Sequence, residues 1–184
     1  MSWCSRDLRL MTKIGLISDT HIPRDADAIP PQVKTALAGV DRILHGGDIY
    51  IASVLNELEA IAPILAVRGN NHADPSEDPR VKDSRRLTIE GIAIGVTHHL
   101  DYPESPWIRS FEKTMDAEFD GPVDVIVFGS SHNPMVETYK GVLLVNPGSP
   151  TLPMGCRGLG TVGVLEIDQG KAEARIIDLT AILA

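Results

Sequence analysis

The chain is poor in cysteine: only two, Cys4 and Cys156, occur in 184 residues. Their spacing fits neither a zinc ribbon nor a redox pair, so both read as free thiols in a reducing compartment. No apolar run approaches the roughly 20 residues that a membrane-spanning helix needs. The first ten residues also lack the long apolar segment of a secretory signal. Basic residues are outnumbered, 17 Lys and Arg against 25 Asp and Glu, for a formal net charge of −8. That balance argues against a protein that tracks a phosphate backbone. Aromatic stacking platforms are few as well, with three Phe, three Tyr and two Trp, which disfavours a nuclease. There is no Gly-x-Ser-x-Gly elbow of a serine hydrolase. The glycine-rich piece from Gly155 to Gly160 does not match a dinucleotide fingerprint and reads as a loop. These absences leave a cytoplasmic protein without a nucleic-acid or membrane partner; a homodimer is compatible with its small size.

Apolar residues are plentiful, at 43%, enough for one well-formed core. Residues 13–184 read as a single domain and 1–12 as a loose arm, with Met11 an alternative start. Ile14 to Ile17 has the length and branching of a buried strand, and it delivers Asp19 and His21. In a chain that stays extended these two side chains share one side, because side chains alternate with period two. Pro30 to Leu37 reads as a short helix with proline in its first turn, ended by Gly39. A second strand, Val40 to Leu44, leads into His45-Gly46-Gly47-Asp48, where glycine permits a sharp turn and leaves space round the acid. Ile51 to Ala60 has apolar residues at helical spacing. A third strand, Pro63 to Val67, ends in Arg68-Gly69-Asn70-Asn71-His72.

Every polar cluster so far follows a strand, which implies a mostly parallel sheet with ligands at the carboxyl ends of its strands. The charged stretch 73–86 reads as a surface loop. A hairpin follows, Arg86 to Ile89 and Ile92 to Thr97, carrying His98 and His99 at its end. Trp107 to Phe119 reads as an amphipathic helix and Val123 to Phe128 as a buried strand opening into Gly129-Ser130-Ser131-His132. A second hairpin spans Val136 to Val145. Gly160 to Ile167 and Ala172 to Ile177 read as antiparallel strands extending the sheet.

Collected in order, the strand-end loops offer Asp19, His21, Asp48, Asn70, His72, His98 and His132. A single histidine at a strand end is more often a hydrogen-bonded core or surface residue than a ligand; this many at strand ends is hard to explain that way. Mixed Asp, His and Asn donors suit two divalent ions of the manganese, iron or zinc type better than calcium, which prefers oxygen. Asp48, in its glycine-cleared turn, is the natural bridging acid.

Asp19-x-His21, Gly47-Asp48, Gly69-Asn70, Thr97-His98 and Gly129-x-x-His132 resemble, in order, the motifs of the calcineurin-like metallophosphoesterase superfamily, and the size is similar to its small YfcE-like phosphodiesterases. The resemblance runs from Ile14 to Ser149. It implies an α/β fold, a four-layer αββα sandwich of two mixed sheets flanked by helices. It further implies a dinuclear centre with Asp19, His21, Asp48 and His132 on the first metal and Asp48, Asn70 and His98 on the second. Manganese is then the first choice of ion, ahead of iron, zinc or nickel. The family's last ligand loop usually reads Gly-His-x-His, whereas this chain has Ser130 at the first of those histidines. A serine hydroxyl is a poor ligand for such an ion, so the second site should be weak or completed by water. His72 stands where small members often have an acid, and could donate a proton to a leaving alkoxide.

The implied activity is metal-dependent hydrolysis of a small phosphoester, a diester ahead of a monoester, with His72 and Asn70 acting on the substrate and Arg68 helping to neutralise charge. The alternative is a catalytically weakened scaffold acting through protein contacts, like the retromer subunit of this fold; Ser130 is the one feature favouring it. Tyr102 and Trp107, after the His98 loop, are available to stack on a substrate ring.

Overall fold

The computed structural model describes residues 11–70, 74–101 and 110–183. The strands are β1 (Met11–Ile17), β2 (Arg42–His45), β3 (Ile64–Val67), β4 (Val81–Lys82), β5 (Arg85–Ile89), β6 (Ile92–Val96), β7 (Val125–Val127), β8 (Met135–Tyr139), β9 (Val142–Asn146), β10 (Thr161–Asp168) and β11 (Lys171–Asp178). The helices are α1 (Pro31–Ala36), α2 (Ala52–Glu59) and α3 (Phe111–Phe119). One sheet has six strands in the order β11-β10-β1-β2-β3-β4, and the other has five in the order β5-β6-β7-β9-β8. In the first, β1 to β4 run parallel while β10 and β11 are antiparallel additions. In the second, β6, β7 and β9 are parallel between two antiparallel edge strands.

Strand alternation explains the layers. Ile14 and Leu16 of β1, Leu44, Val67, Leu165 and Ile167 point inward from the first sheet. They meet Ile94, Val96, Val125, Val127 and Val145 of the second. The residues between them point outward, and Ile17, Ile43, Ile64, Ala66, Val162 and Val164 pack under α1 and α2. On the far side Ile126, Val142 and Leu144 pack under Phe111, Met115 and Phe119 of α3. The central strands are buried on both faces, which is why they read as continuous apolar runs. The result is the expected α/β sandwich of four layers, and each fully buried Ile, Leu or Val in it contributes about 1.5–3 kcal/mol.

Beyond shifts of one or two residues at the ends of several elements, two features differ from the sequence reading. β1 starts at Met11, because Met11 and Thr12 pair with Asp168 and Ile167 of β10. The stretch read as a surface loop contains β4, where Val81 is buried and pairs beside Ala66. Two residues are too few for alternation to show in a sequence. Arg80 fastens that stretch through Asp78 at 2.6 Å and Glu59 at 2.7 Å. α3 is described from Phe111, with Ser110 as its N-cap accepting from the Lys113 amide; the expected start at Trp107 lies outside the described residues. Among the described residues no helix is long and apolar enough to cross a membrane.

Candidate metal centre

The carboxyl ends of β1, β2, β3, β6 and β7 open at one rim of the two sheets, and the loops there carry the polar residues. The first of these loops departs from expectation. Asp19 and His21 both have left-handed backbone, with φ of 54° and 49°, so they do not share a side by alternation along an extended chain. Two successive turns of the backbone bring them together instead. Asp48, Ser130 and His132 are left-handed too, at φ 57°, 68° and 58°. Such conformations cost on the order of 1 kcal/mol or more each and persist only where the surroundings fix them.

The surroundings here are hydrogen bonds. The Asp19 and His21 amides donate to the Gly47 and Asp48 carbonyls at 2.9 and 3.0 Å. From the other side, Ser149 Oγ donates to the Asp19 carbonyl and Thr151 Oγ1 to the Thr20 carbonyl, each at 2.7 Å. Glycine is needed where loops touch. A Cβ on Gly47, itself at φ 100°, would stand 2.6 Å from His98 Nδ1, and one on Gly69 would collide with the Asp48 carboxylate.

The donor atoms form two overlapping groups, Asp19, His21 and His132, and Asp19, Asp48 and His98, in each of which the ligand atoms lie within 4.8 Å of one another. His132 Nε2 is 3.4 Å from Asp19 Oδ1. Asp48 Oδ2 stands between the groups, 3.3 Å from His21 Nε2 and 3.7 Å from His98 Nε2. The imidazoles are oriented from behind. His98 Nδ1–H donates to the Gly46 carbonyl at 2.7 Å and His132 Nδ1–H to the Leu152 carbonyl at 3.0 Å, which leaves each Nε2 lone pair facing inward. His21 Nδ1 lies 2.9 Å from the Tyr50 hydroxyl and 3.4 Å from Asp25 Oδ2.

His21 Nε2, His98 Nε2 and Asp48 Oδ1 are buried with no hydrogen-bond partner. Buried polar atoms rarely stay unpaired; the two imidazole nitrogens lie near the other Asp48 oxygen, Oδ2, while Oδ1 lies against Gly69, and unpaired imidazole nitrogens beside carboxylates form a donor set that fits divalent cations. The charges say the same. Burial pushes the Asp48 carboxyl above the usual range, a charged His98 would pull it down, and the nearby Asp19 charge adds to the rise. At His21 burial acts to lower the imidazole, but the Asp19 carboxylate beside it and the charges of Asp48 and Asp25 outweigh burial, and its pKa is raised. Buried carboxylates of this kind call for positive charge.

Five of the residues singled out in the sequence thus converge: Asp19, His21, Asp48, His98 and His132. Asn70 lies in the loop after β3, following Gly69, which packs against Asp48, and is exposed. His72, Tyr102 and Trp107 lie outside the described residues. Arg68 is exposed and its guanidinium is paired with Asp83 at 3.2 Å. Ser130 contributes backbone: its amide donates to both oxygens of Asp19, at 3.2 and 3.1 Å.

Sequence reasoning missed Asp74. This buried carboxylate accepts from the amides of Asp48, Ile49, Tyr50 and Gly69, at 3.1, 2.8, 2.9 and 2.6 Å, and so ties the Asp48 loop to the Gly69 loop. It sits in the charged stretch read as surface, and nothing in its neighbours marks it. His45 was read only as a flank of the glycine turn. It is fully buried, its Nδ1 accepts from the Gly47 amide at 3.1 Å, and burial pushes its imidazole down to about 4, so it is a neutral structural group.

Residues 12–170 match the family model of the calcineurin-like phosphoesterase superfamily domain. A "Probable metallophosphoesterase" of Methanothermobacter thermautotrophicus is 38% identical over 167 residues, covering 89% of this chain and 91% of the relative. A phosphodiesterase of Methanocaldococcus jannaschii is 28% identical over 184 residues, covering 91% and 99%. Among solved structures, vacuolar protein sorting 29 of Cryptosporidium parvum superposes with a TM-score of 0.68 at 20% identity, covering 91% of this chain and 97% of that one; this likeness concerns the fold alone. With the family model spanning nearly the whole described chain and the ligand-bearing loops in place, the chain belongs to the calcineurin-like phosphoesterase superfamily.

Proposed function

We propose that the protein is a metal-dependent phosphoesterase with a dinuclear centre, acting on a phosphodiester. The observation that carries this is the pair of buried, unpartnered imidazole nitrogens, His21 Nε2 and His98 Nε2, 3.3 and 3.7 Å from Asp48 Oδ2. Asp19, His21, Asp48 and His132 would hold the first ion, and Asp48, Asn70 and His98 the second, with manganese the expected metal. Bound there, divalent ions supply Lewis acidity toward a phosphoryl oxygen and lower the pKa of a water molecule toward neutrality. The chain's own residues fix the donors. Gly46 and Leu152 carbonyls set the tautomers of His98 and His132, and Asp74 holds the Asp48 turn against the Gly69–Asn70 loop. His72, two residues beyond Asn70 in sequence, would give a proton to the leaving alkoxide. The diester preference is drawn from the phosphodiesterase of M. jannaschii.

The test is hydrolysis of bis(p-nitrophenyl) phosphate by purified protein with manganese. Turnover that EDTA abolishes and manganese restores is the expected result. The second reading, a scaffold working through protein contacts, rests on Ser130 in place of a ligand. An inert protein that gains turnover on Ser130→His would establish that reading and sink the enzyme.

A further inference from the structure

The glycine-rich loop after β9 has a role that metal binding does not use up. It is fastened to the centre at two points, through Thr151 Oγ1 to the Thr20 carbonyl at 2.7 Å and through the Leu152 carbonyl to His132 at 3.0 Å. A Gly158 amide bond to the Thr151 carbonyl, 3.0 Å, closes it on itself. Its far side carries Arg157, whose Nη2 donates to the Arg24 carbonyl at 2.8 Å and reaches Asp25 Oδ1 at 3.3 Å. Arg24 in turn donates from Nη1 to the Tyr50 hydroxyl oxygen at 3.1 Å, and that oxygen is 2.9 Å from His21 Nδ1. Two guanidinium groups thus stand beside the metal centre, one of them only two hydrogen bonds from a ligand imidazole.

Their partners do not exhaust them. A guanidinium has five N–H donors, and the side chains of Arg24 and Arg157 are 67% and 69% exposed, although both are tethered at one corner. Asp25 is the one carboxylate within ion-pair reach of either among the described residues. Two guanidinium groups share that one paired carboxylate, in a chain whose net charge is −8; the Asp48 charge also reaches Arg24, so the rim is cationic once the carboxylates of the centre hold metal ions. Tethered guanidinium groups with free donors suit a phosphoryl group, which they can grip in a bidentate manner.

We propose that Arg24 and Arg157 form an anion subsite beside the metal centre that takes a second phosphoryl group, so that the preferred substrate is a small phosphodiester carrying a terminal phosphate on one arm. This rests on the phosphoesterase reading above.

The test is calorimetric binding to the manganese-loaded protein of thymidine 3′,5′-bisphosphate, compared with the 3′- and 5′-monophosphates. The bisphosphate should bind about tenfold tighter than either monophosphate in the wild type, and the gap should shrink to about twofold or less in R24Q/R157Q. Equal affinities in the wild type, or a gap that survives the double substitution, overturn the subsite. Because a general loss of metal affinity weakens all three ligands together, the gap isolates the arginines. If the double variant does not fold, the wild-type gap itself decides: it should narrow between about 50 and 500 mM salt, since exposed charges are screened, and a salt-independent gap refutes the idea. Failure of the phosphoesterase reading shows separately, as absence of aryl diester hydrolysis.

Discussion

The two flanks of the centre are built unequally. On one, Asp19, His21 and His132 crowd together, and the imidazoles are braced by Tyr50, Asp25 and the Leu152 carbonyl. On the other, His98 is braced as firmly by the Gly46 carbonyl and has Asp19 and Asp48 beside it, but the further donors expected there are weak: Asn70 is exposed and Ser130 offers its amide to Asp19. The bracing is alike and each flank has three donor residues; the difference lies in what would complete the second, an exposed asparagine and a serine. Orientation of a ligand and occupancy of a site are therefore separate properties, and the first flank should hold its ion more tightly than the second.

The change that should hurt most is at Asp48, whose carboxylate faces an imidazole of each flank. Asp48→Asn removes a carboxylate facing both His21 and His98 and should lower turnover roughly 10³-fold, equivalent to about 4 kcal/mol of barrier. Steady-state rates on the aryl diester, with metal content measured alongside, check this; a variant losing only a few-fold would mean that Asp48 does not join the flanks.

Next comes the clip beneath them. Asp74→Asn keeps the shape but replaces one acceptor oxygen with a donor, against four amides that all need acceptors. It should cost about 1–3 kcal/mol in urea unfolding and weaken manganese binding about 10–100-fold. The loss should be greater at the second ion than at the first, because Asp74 supports Asp48 and Tyr50, which serve both, and in addition holds the Gly69 loop that leads to Asn70. Uniform loss at both ions would count against the division into flanks.

Ser130→His sharpens the comparison by attempting to equalise it. Metal analysis after dialysis should rise toward two ions per chain, with the second ion's affinity increasing about tenfold or more. No gain in stoichiometry would show that the thin flank is not limited by donors.

A further effect, on stability rather than turnover, concerns His45, below the Gly47 turn. Its folded pKa of about 4 lies below its ordinary value of 6.5, so between those values the unfolded chain binds more protons. Its contribution to stability is complete above about pH 6.5 and is lost as pH falls toward 4, by up to about 3 kcal/mol. Chemical denaturation of EDTA-treated protein across this range should show the decline, and His45→Gln should flatten it. An unchanged slope in the variant would assign the acid sensitivity to the carboxylates of the flanks.

How much of this was visible in the chain depends on the scale of the feature. Ile14 to Ile17, Ile64 to Val67 and Val125 to Val127 announce themselves because both faces of those strands are buried, and the Asp and His residues of the two candidate groups stand out because loops at strand ends face a shared rim. β4 is too short to carry a pattern, and Asp74 looks like any acid in a charged stretch; its four amide partners come from two loops that meet only in three dimensions. The reading of Asp19 and His21 as neighbours on an extended strand reached the right pairing by the wrong route, since left-handed backbone at both positions is imposed by Gly47, Asp48, Ser149 and Thr151 from elsewhere in the chain.

By itself the sequence determined which segments are buried and which side chains are fit to bind a cation, because hydrophobic alternation and ligand chemistry are properties of the residues present. The tertiary structure alone decided how those side chains face one another, which lone pairs stay unpaired, and that Arg24 and Arg157 stand together beside His21. Such distances are fixed by backbone turns and hydrogen bonds between loops remote in number, and no local pattern of residues encodes them.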